Sequence, residues 1–123
     1  MDALNKSLTD EGHLKSTKVI KAFKKINRRD FLLTEHLQHA AENRAIPISF
    51  GQTNSQPLTV AIMLELLKVK DGDKVLDIGY GSGWQTALLA ELIGPKGKVV
   101  AIERIPELYR FGKKNVLKYN LKN

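Results

Sequence analysis

The sequence predicts an α/β fold, a helical lead-in followed by parallel strands with flanking helices. Three observations carry this. Val75, Leu76 and Ile78 form a short branched apolar run after the turn residues Asp71-Gly72-Asp73, the pattern of a strand buried on both faces of a parallel sheet. Gly79, Gly81 and Gly83 then alternate through a tight loop, and an apolar helix follows over Trp84 to Ile93. About twenty residues beyond the loop, Lys98 to Glu103 reads as a second strand ending in an acid, where a carboxylate can accept both hydroxyls of a ribose.

Taken in order, Met1 to Lys15 lacks a strong period and is expected to be a loose lead-in. From Ser16 or Thr17, either a good N-cap, Val19, Ile20, Phe23 and Ile26 keep helical spacing, with lysines on the opposite face. Arg28 to Leu33 predicts one or two turns, and His36 to Glu42 another short helix. Pro47 and Gly51 keep Ile46 to Ser55 out of a helix, and Thr53, Asn54 and Ser55 place three hydrogen-bonding side chains in a row. Pro57 suits the first position of a helix, which makes Ser55 or Gln56 the cap of an apolar helix over Leu58 to Lys68. That helix is apolar almost all round and is expected to be buried. Its N-terminus favours an anion, so a carboxylate substrate suits the loop; the competing reading is that Ser55 only caps the helix.

At 123 residues the chain suffices for one modest domain. No apolar run approaches the ~20 residues of a membrane span, and Met1 to Glu11 has no signal-peptide core, so the cytoplasm is the expected location. The absence of cysteine excludes disulfides, thiolate metal sites and cysteine nucleophiles. His36 and His39 share a helical spacing but lack a carboxylate pattern, and read as a surface pair rather than a metal site. The net charge of +7 gathers in Lys15, Lys18, Lys21, Lys24, Lys25, Arg28 and Arg29 and again in Lys113, Lys114, Lys118 and Lys122. No aromatic residues interleave with these lysines, so a solvated face is expected and nucleic acid is not an expected partner.

The dinucleotide fingerprint G-x-G-x-x-G/A requires a small third residue, and Trp84 occupies that position. The spacing D-x-G-x-G-x-G, Asp77 to Gly83, instead resembles the first motif of the Rossmann-like S-adenosylmethionine methyltransferases. Two further stretches narrow the likeness. N-R-A-I-P-I-S-F-G-Q-T-N-S-Q-P, Asn43 to Pro57, closely resembles the substrate loop of the protein-L-isoaspartate O-methyltransferases, and K-x-G-D-K-V-L-D-I-G-x-G-S-G-W and A-I-E-R-I-P-E-L continue the match.

The resemblance implies an enzyme that moves a methyl group from S-adenosylmethionine to the α-carboxylate of isoaspartyl residues in damaged proteins. It matches Ser55 to the active-site serine, with Thr53 and Gln52 in the same loop. Asp77, Gly79, Tyr80, Gly81, Ser82 and Gly83 correspond to the methionine-side loop and Glu103 to the ribose acid. It also implies a single, truncated methyltransferase domain, the N-terminal part of a Rossmann-like fold. Residues 1–55 would form the lead-in and substrate loop, and residues 56–123 the cofactor-binding βα units. Isoaspartyl proteins are the implied partners, and self-association through an open sheet edge is expected. Ser49 stands where the family usually has glycine, Asn54 where it has an aliphatic residue, and Tyr80 in a slot usually small. A cofactor-binding remnant without catalysis and a methyltransferase-like domain recruited to RNA are the alternative readings.

Overall fold

The computed structural model describes residues 1–121 and 123; Lys122, counted above in the basic C-terminal group, lies outside the described residues. The order of elements is α1 (Asp2–Asp10), α2 (Thr17–Lys25), two 3-10 turns (Arg28–Phe31 and Thr34–His39), β1 (Ile46–Ser49), β2 (Gln52–Asn54), α3 (Pro57–Leu67), β3 (Lys74–Ile78), α4 (Trp84–Ile93), β4 (Lys98–Ile102) and α5 (Pro106–Leu117). The expected α/β order therefore holds, and α4 has the bounds read from its apolar pattern.

The lead-in is not loose. Leu4 and Leu8, one helical turn apart, lie on the inner face of α1, with Leu8 buried, and the Asn5 amide donates to the Phe23 carbonyl on α2 (3.3 Å). So few apolar residues make a weak period in sequence, yet one turn of them is enough to dock a short helix. Ser16 caps α2 as expected, its hydroxyl accepting from the Val19 N–H (3.4 Å). The start of α2 is also held from a distance, because Glu65 on α3 accepts the N–H groups of Lys15 and Ser16 at 2.7 and 2.8 Å. Val19, Phe23 and Ile26 then pack with Val60, Leu64, Trp84 and Leu88 in the main core, where the Phe23 and Trp84 rings meet edge-on at 5.6 Å.

Ile46 to Ser55 is a β-hairpin and not simply a loop. β1 and β2 pair antiparallel, with a register shift between Pro47 and Ser49. Ser49, Phe50 and Gly51 all have positive φ (84°, 57° and 69°). Only the last is a residue for which that conformation is easy, which hid the turn from a sequence reading. The left-handed Ser49 also gives a physical reason for a glycine at that place.

β3 and β4 pair in parallel, Leu76 opposite Val100 and Ile78 opposite Ile102. The expectation that β3 is buried on both faces is not met. Val75 and Asp77 turn toward α4, whereas Leu76 and Ile78 are 59% and 72% exposed. α3 corrects its expectation in the same way. Pro57, Val60, Ala61 and Leu64 are buried, but Met63, Leu66 and Leu67 are open. Among the described residues the sheet is covered on the α4 side only, which leaves Leu76 and Ile78 open.

Candidate active site

The site grows from the turn that follows β3. The Gly79 N–H donates to the Ile102 carbonyl (2.8 Å), bending the chain back over the end of β4, and Gly79, Gly81 and Gly83 all have positive φ. α5 sits directly against this turn. A Cβ on Gly83 would lie 2.8 Å from the Gly112 carbonyl, and one on Gly112 would lie 2.6 Å from the Gly81 carbonyl and 2.5 Å from the Tyr80 ring. Gly112, which sequence reasoning did not single out, is thus what allows α5 to close on the loop. Gly112→Ala should lower stability in urea unfolding by about 1–3 kcal/mol, the cost of overpacking; an unchanged midpoint would show that the loop moves aside freely.

Two adjoining clefts open over the turn. The smaller, about 220 Å³, is lined by Thr53, Ser55, Asp77, Gly79, Tyr80, Gly81 and Ser82, with Val60 and Met63 of α3. The wider, about 470 Å³, is lined by Gln52, Thr53, Gly79, Gly81 and Glu103. Every site residue read from the sequence therefore lines one cleft or both, except Gly83, which is buried beneath the turn against α5. Thr53 bridges the two. The hairpin is what brings Gln52, Thr53 and Ser55 to the glycine turn, since the side chain of Ile48 on β1 reaches within 3.0 Å of where a Gly81 Cβ would stand.

Neither Ser55 nor Gln56 caps α3 with its side chain, although Gln56 holds the cap position. The Asn43 side chain does so instead, accepting the Leu58 N–H at 3.0 Å, while Gln56 donates to the Asn43 carbonyl. Ser55 is consequently exposed, and its hydroxyl has no hydrogen-bond partner among the described residues. The reading of Ser55 as merely a cap is thereby removed.

Asp77 is buried, which pushes its carboxyl above the ordinary aspartate range; the Thr86 hydroxyl, donating at 2.6 Å, pulls it partly back. Each Glu103 oxygen accepts one backbone N–H, from Gly81 (3.0 Å) and from Ile105 (2.9 Å). Each oxygen can accept a further hydrogen bond, and Glu103 lines the wider cleft. Tyr80 is turned onto α5, where its hydroxyl donates to the Tyr109 carbonyl (2.7 Å) and burial raises its pKa to about 12.

The residue most misjudged from sequence is Arg28. Counted as part of a basic surface, it is fully buried. Its guanidinium donates to the Asn54 side chain (2.7 Å) and to the carbonyls of Glu42 (2.8 Å), Arg44 (2.7 Å) and Ser55 (3.0 Å), and it lies 5.4 Å over the Trp84 ring. Burial lowers its pKa to about 10, so it stays charged at neutral pH. Asn54 passes the connection on, donating to the Ser82 hydroxyl (2.9 Å), and Asn115 of α5 donates to the Ser82 carbonyl (3.0 Å). Lead-in, hairpin, glycine turn and α5 are joined through one buried polar chain.

All of the chain, residues 1–123, matches the family model described as protein-L-isoaspartate(D-aspartate) O-methyltransferase. The chain belongs to this family. Among named relatives, the protein-L-isoaspartate O-methyltransferase of Thermococcus onnurineus is 50% identical over 111 residues, covering 90% of this chain and 50% of the relative. That of Pyrococcus horikoshii is 47% identical over 116 residues, covering 94% and 52%. The chain thus spans about half the length of the curated relatives it matches. A solved protein-L-isoaspartate O-methyltransferase, 29% identical, superposes with a TM-score of 0.87 over 99% of this chain and 39% of its own. A Plasmodium falciparum protein of the same description, solved in complex with S-adenosyl-L-homocysteine, is 23% identical and shares the fold with a TM-score of 0.86 over 98% of this chain and 56% of its own. The Rossmann-like methyltransferase fold is thereby established for the family member described here. No helix among the described residues is long and apolar enough to cross a membrane.

Proposed function

We propose that this chain is the cofactor-binding and substrate-loop part of an S-adenosylmethionine-dependent methyltransferase acting in the cytoplasm on isoaspartyl residues of damaged proteins. Residues 1–55 would supply the lead-in and substrate loop, and residues 56–123 the cofactor units. The observation that carries this reading is the placement of Thr53 and Ser55, with exposed hydroxyls, on the rim of the clefts over the glycine turn.

The residues present fit the cofactor. The turn offers backbone without Cβ atoms at Gly79 and Gly81, and Glu103, which lines the wider cleft, can accept further hydrogen bonds. When bound, S-adenosylmethionine supplies a methyl group activated by a positively charged sulfur, so an ionised carboxylate can take it without a general base. What remains for the chain is positioning and the exclusion of water. Ser55, Thr53 and Gln52 orient the substrate carboxylate by neutral hydrogen bonds, which hold it without the tight grip of an ion pair. Asp77, Tyr80, Ser82 and Gly83 shape and support the loop beneath the cofactor. The apolar face left open by β3 and β4 is expected to pair with a second copy when this chain stands alone.

The test is transfer of a labelled methyl group to an isoaspartyl peptide, with cofactor affinity measured separately by calorimetry. Ser55→Ala should lower transfer about 10- to 100-fold, as for loss of one or two orienting hydrogen bonds, with cofactor affinity nearly unchanged. A large loss of cofactor binding with normal turnover at saturation would reverse the assignment of Ser55. Binding with no transfer by the parent chain would favour a cofactor-binding module.

A further inference from the structure

Phe50 stands at the turn of the hairpin with 54% of its surface exposed. The other large apolar side chains left open sit on α3, α5 or the uncovered face of β3 and β4. One exposed apolar side chain needs no explanation by itself. What sets this one apart is its backbone. Phe50 has a φ of 57°, and Ser49 before it a φ of 84°. The left-handed region is uncommon for a bulky residue, and glycine or asparagine would occupy it more easily. Burial of the ring does not offset that strain, and an outlier kept without a gain to the fold points to a contact outside it. The register shift between Pro47 and Ser49 has the same sense, since a bulge beside a site re-aims the side chains near it.

The turn is also continuous with the site. Only Gly51 separates Phe50 from Gln52, so their Cα atoms lie within about 7.6 Å of one another. Gln52 lines the wider cleft, and Thr53 lines both. The Gln52 side-chain amide donates to the Phe50 carbonyl at 3.4 Å, which ties the turn to the cleft wall.

We infer that Phe50 is a specificity-determining contact for the substrate polypeptide, its ring covering an apolar side chain next to the isoaspartyl residue held at Thr53 and Ser55. This rests on the reading of the hairpin as the substrate loop. An isoaspartyl residue within a protein has chain on both sides, and at about 3.8 Å per residue its neighbours fall within reach of a ring so close to Gln52. The turn residues Ser49, Phe50 and Gly51 carry no charge, so the side chain that suits them is apolar rather than ionic.

Fluorescence anisotropy of end-labelled isoaspartyl peptides, titrated with the 123-residue chain in the presence of S-adenosylhomocysteine, reads this contact without requiring turnover. One peptide carries leucine on both sides of the isoaspartyl residue, the other serine. The parent should prefer the leucine peptide about 5- to 10-fold, as for partial burial of an apolar side chain. Phe50→Asn should reduce the preference to about twofold or less by weakening the leucine peptide alone. Asparagine enters the left-handed region more readily than phenylalanine, so the thermal midpoint should stay at or above the parent's. Phe50→Tyr keeps the ring and should keep the preference. Ser49→Gly relaxes the turn while leaving the ring in place, and should keep it too.

A parent with no preference, or a preference that survives in Phe50→Asn, would overturn the inference while leaving the substrate-loop reading intact. So would a lowered midpoint with equal losses for both peptides, which would make Phe50 a packing residue of the hairpin. A parent chain that binds neither peptide would overturn the substrate-loop reading and this inference together.

Discussion

Arg28→Met is expected to lower the unfolding free energy by about 3 kcal/mol or more, a large fraction of the stability of a single domain. Methionine keeps much of the unbranched stem, so the loss is mainly that of the donors, together with the guanidinium's place over the Trp84 ring. Four acceptors within 3.0 Å, the Asn54 side chain and the carbonyls of Glu42, Arg44 and Ser55, would then face an apolar side chain in a buried place. Arg28→Lys should recover little of this, because one ammonium cannot reach acceptors spread around a planar fork. Urea unfolding followed by far-ultraviolet circular dichroism is the measurement. A methionine variant as stable as the parent would mean that the hairpin is held to the lead-in by its apolar contacts alone, with the guanidinium dispensable.

Arg28 also shows where a sequence ceases to be readable. A lysine-rich helix followed by Arg28 and Arg29 looks like one continuous basic surface. What buries the first arginine is a set of backbone carbonyls from residues 42, 44 and 55, whose convergence depends on the hairpin and the turns before it. Features with local causes were legible. The turn through Gly79, Gly81 and Gly83 demands residues without a Cβ, α4 carries an unbroken apolar pattern, and Pro57 marks the start of α3. The polar run before Pro57 likewise pointed to the site, and Thr53 and Ser55 do line the cleft. Features with non-local causes were not. Asn43 caps α3 from fifteen residues away, Gly112 matters only because α5 lands on the glycine turn, and Asn54 reads as one more loop polar until its place between Arg28 and Ser82 is seen.

The other large effect concerns the uncovered side of the sheet. Leu76 and Val100 are cross-strand partners in the register of β3 and β4, as are Ile78 and Ile102, and all four point away from α4. Met63, which lines the smaller cleft beside Ile78, continues the apolar surface onto α3, where Leu66 is 73% exposed. Contiguous apolar surface of this kind seldom stays in water on a monomer, and the adjacent edge of β3 has no strand paired to it among the described residues. The isolated chain is therefore expected to sediment at tens of micromolar, on the order of common working concentrations, as a species larger than 13.8 kDa. The double variant Leu76→Lys, Val100→Glu places opposite charges across the strand pair, so the sheet should be retained while its outer face becomes polar. That variant should sediment near the monomer mass with its cooperative thermal transition preserved. The clefts lie over the end of β3 rather than at Leu76 or Val100, so cofactor affinity should stay within about twofold of the parent's. A parent chain that remains monomeric at the same concentration, with a sharp transition, would show that the open face is tolerated and that a second copy does not cover it.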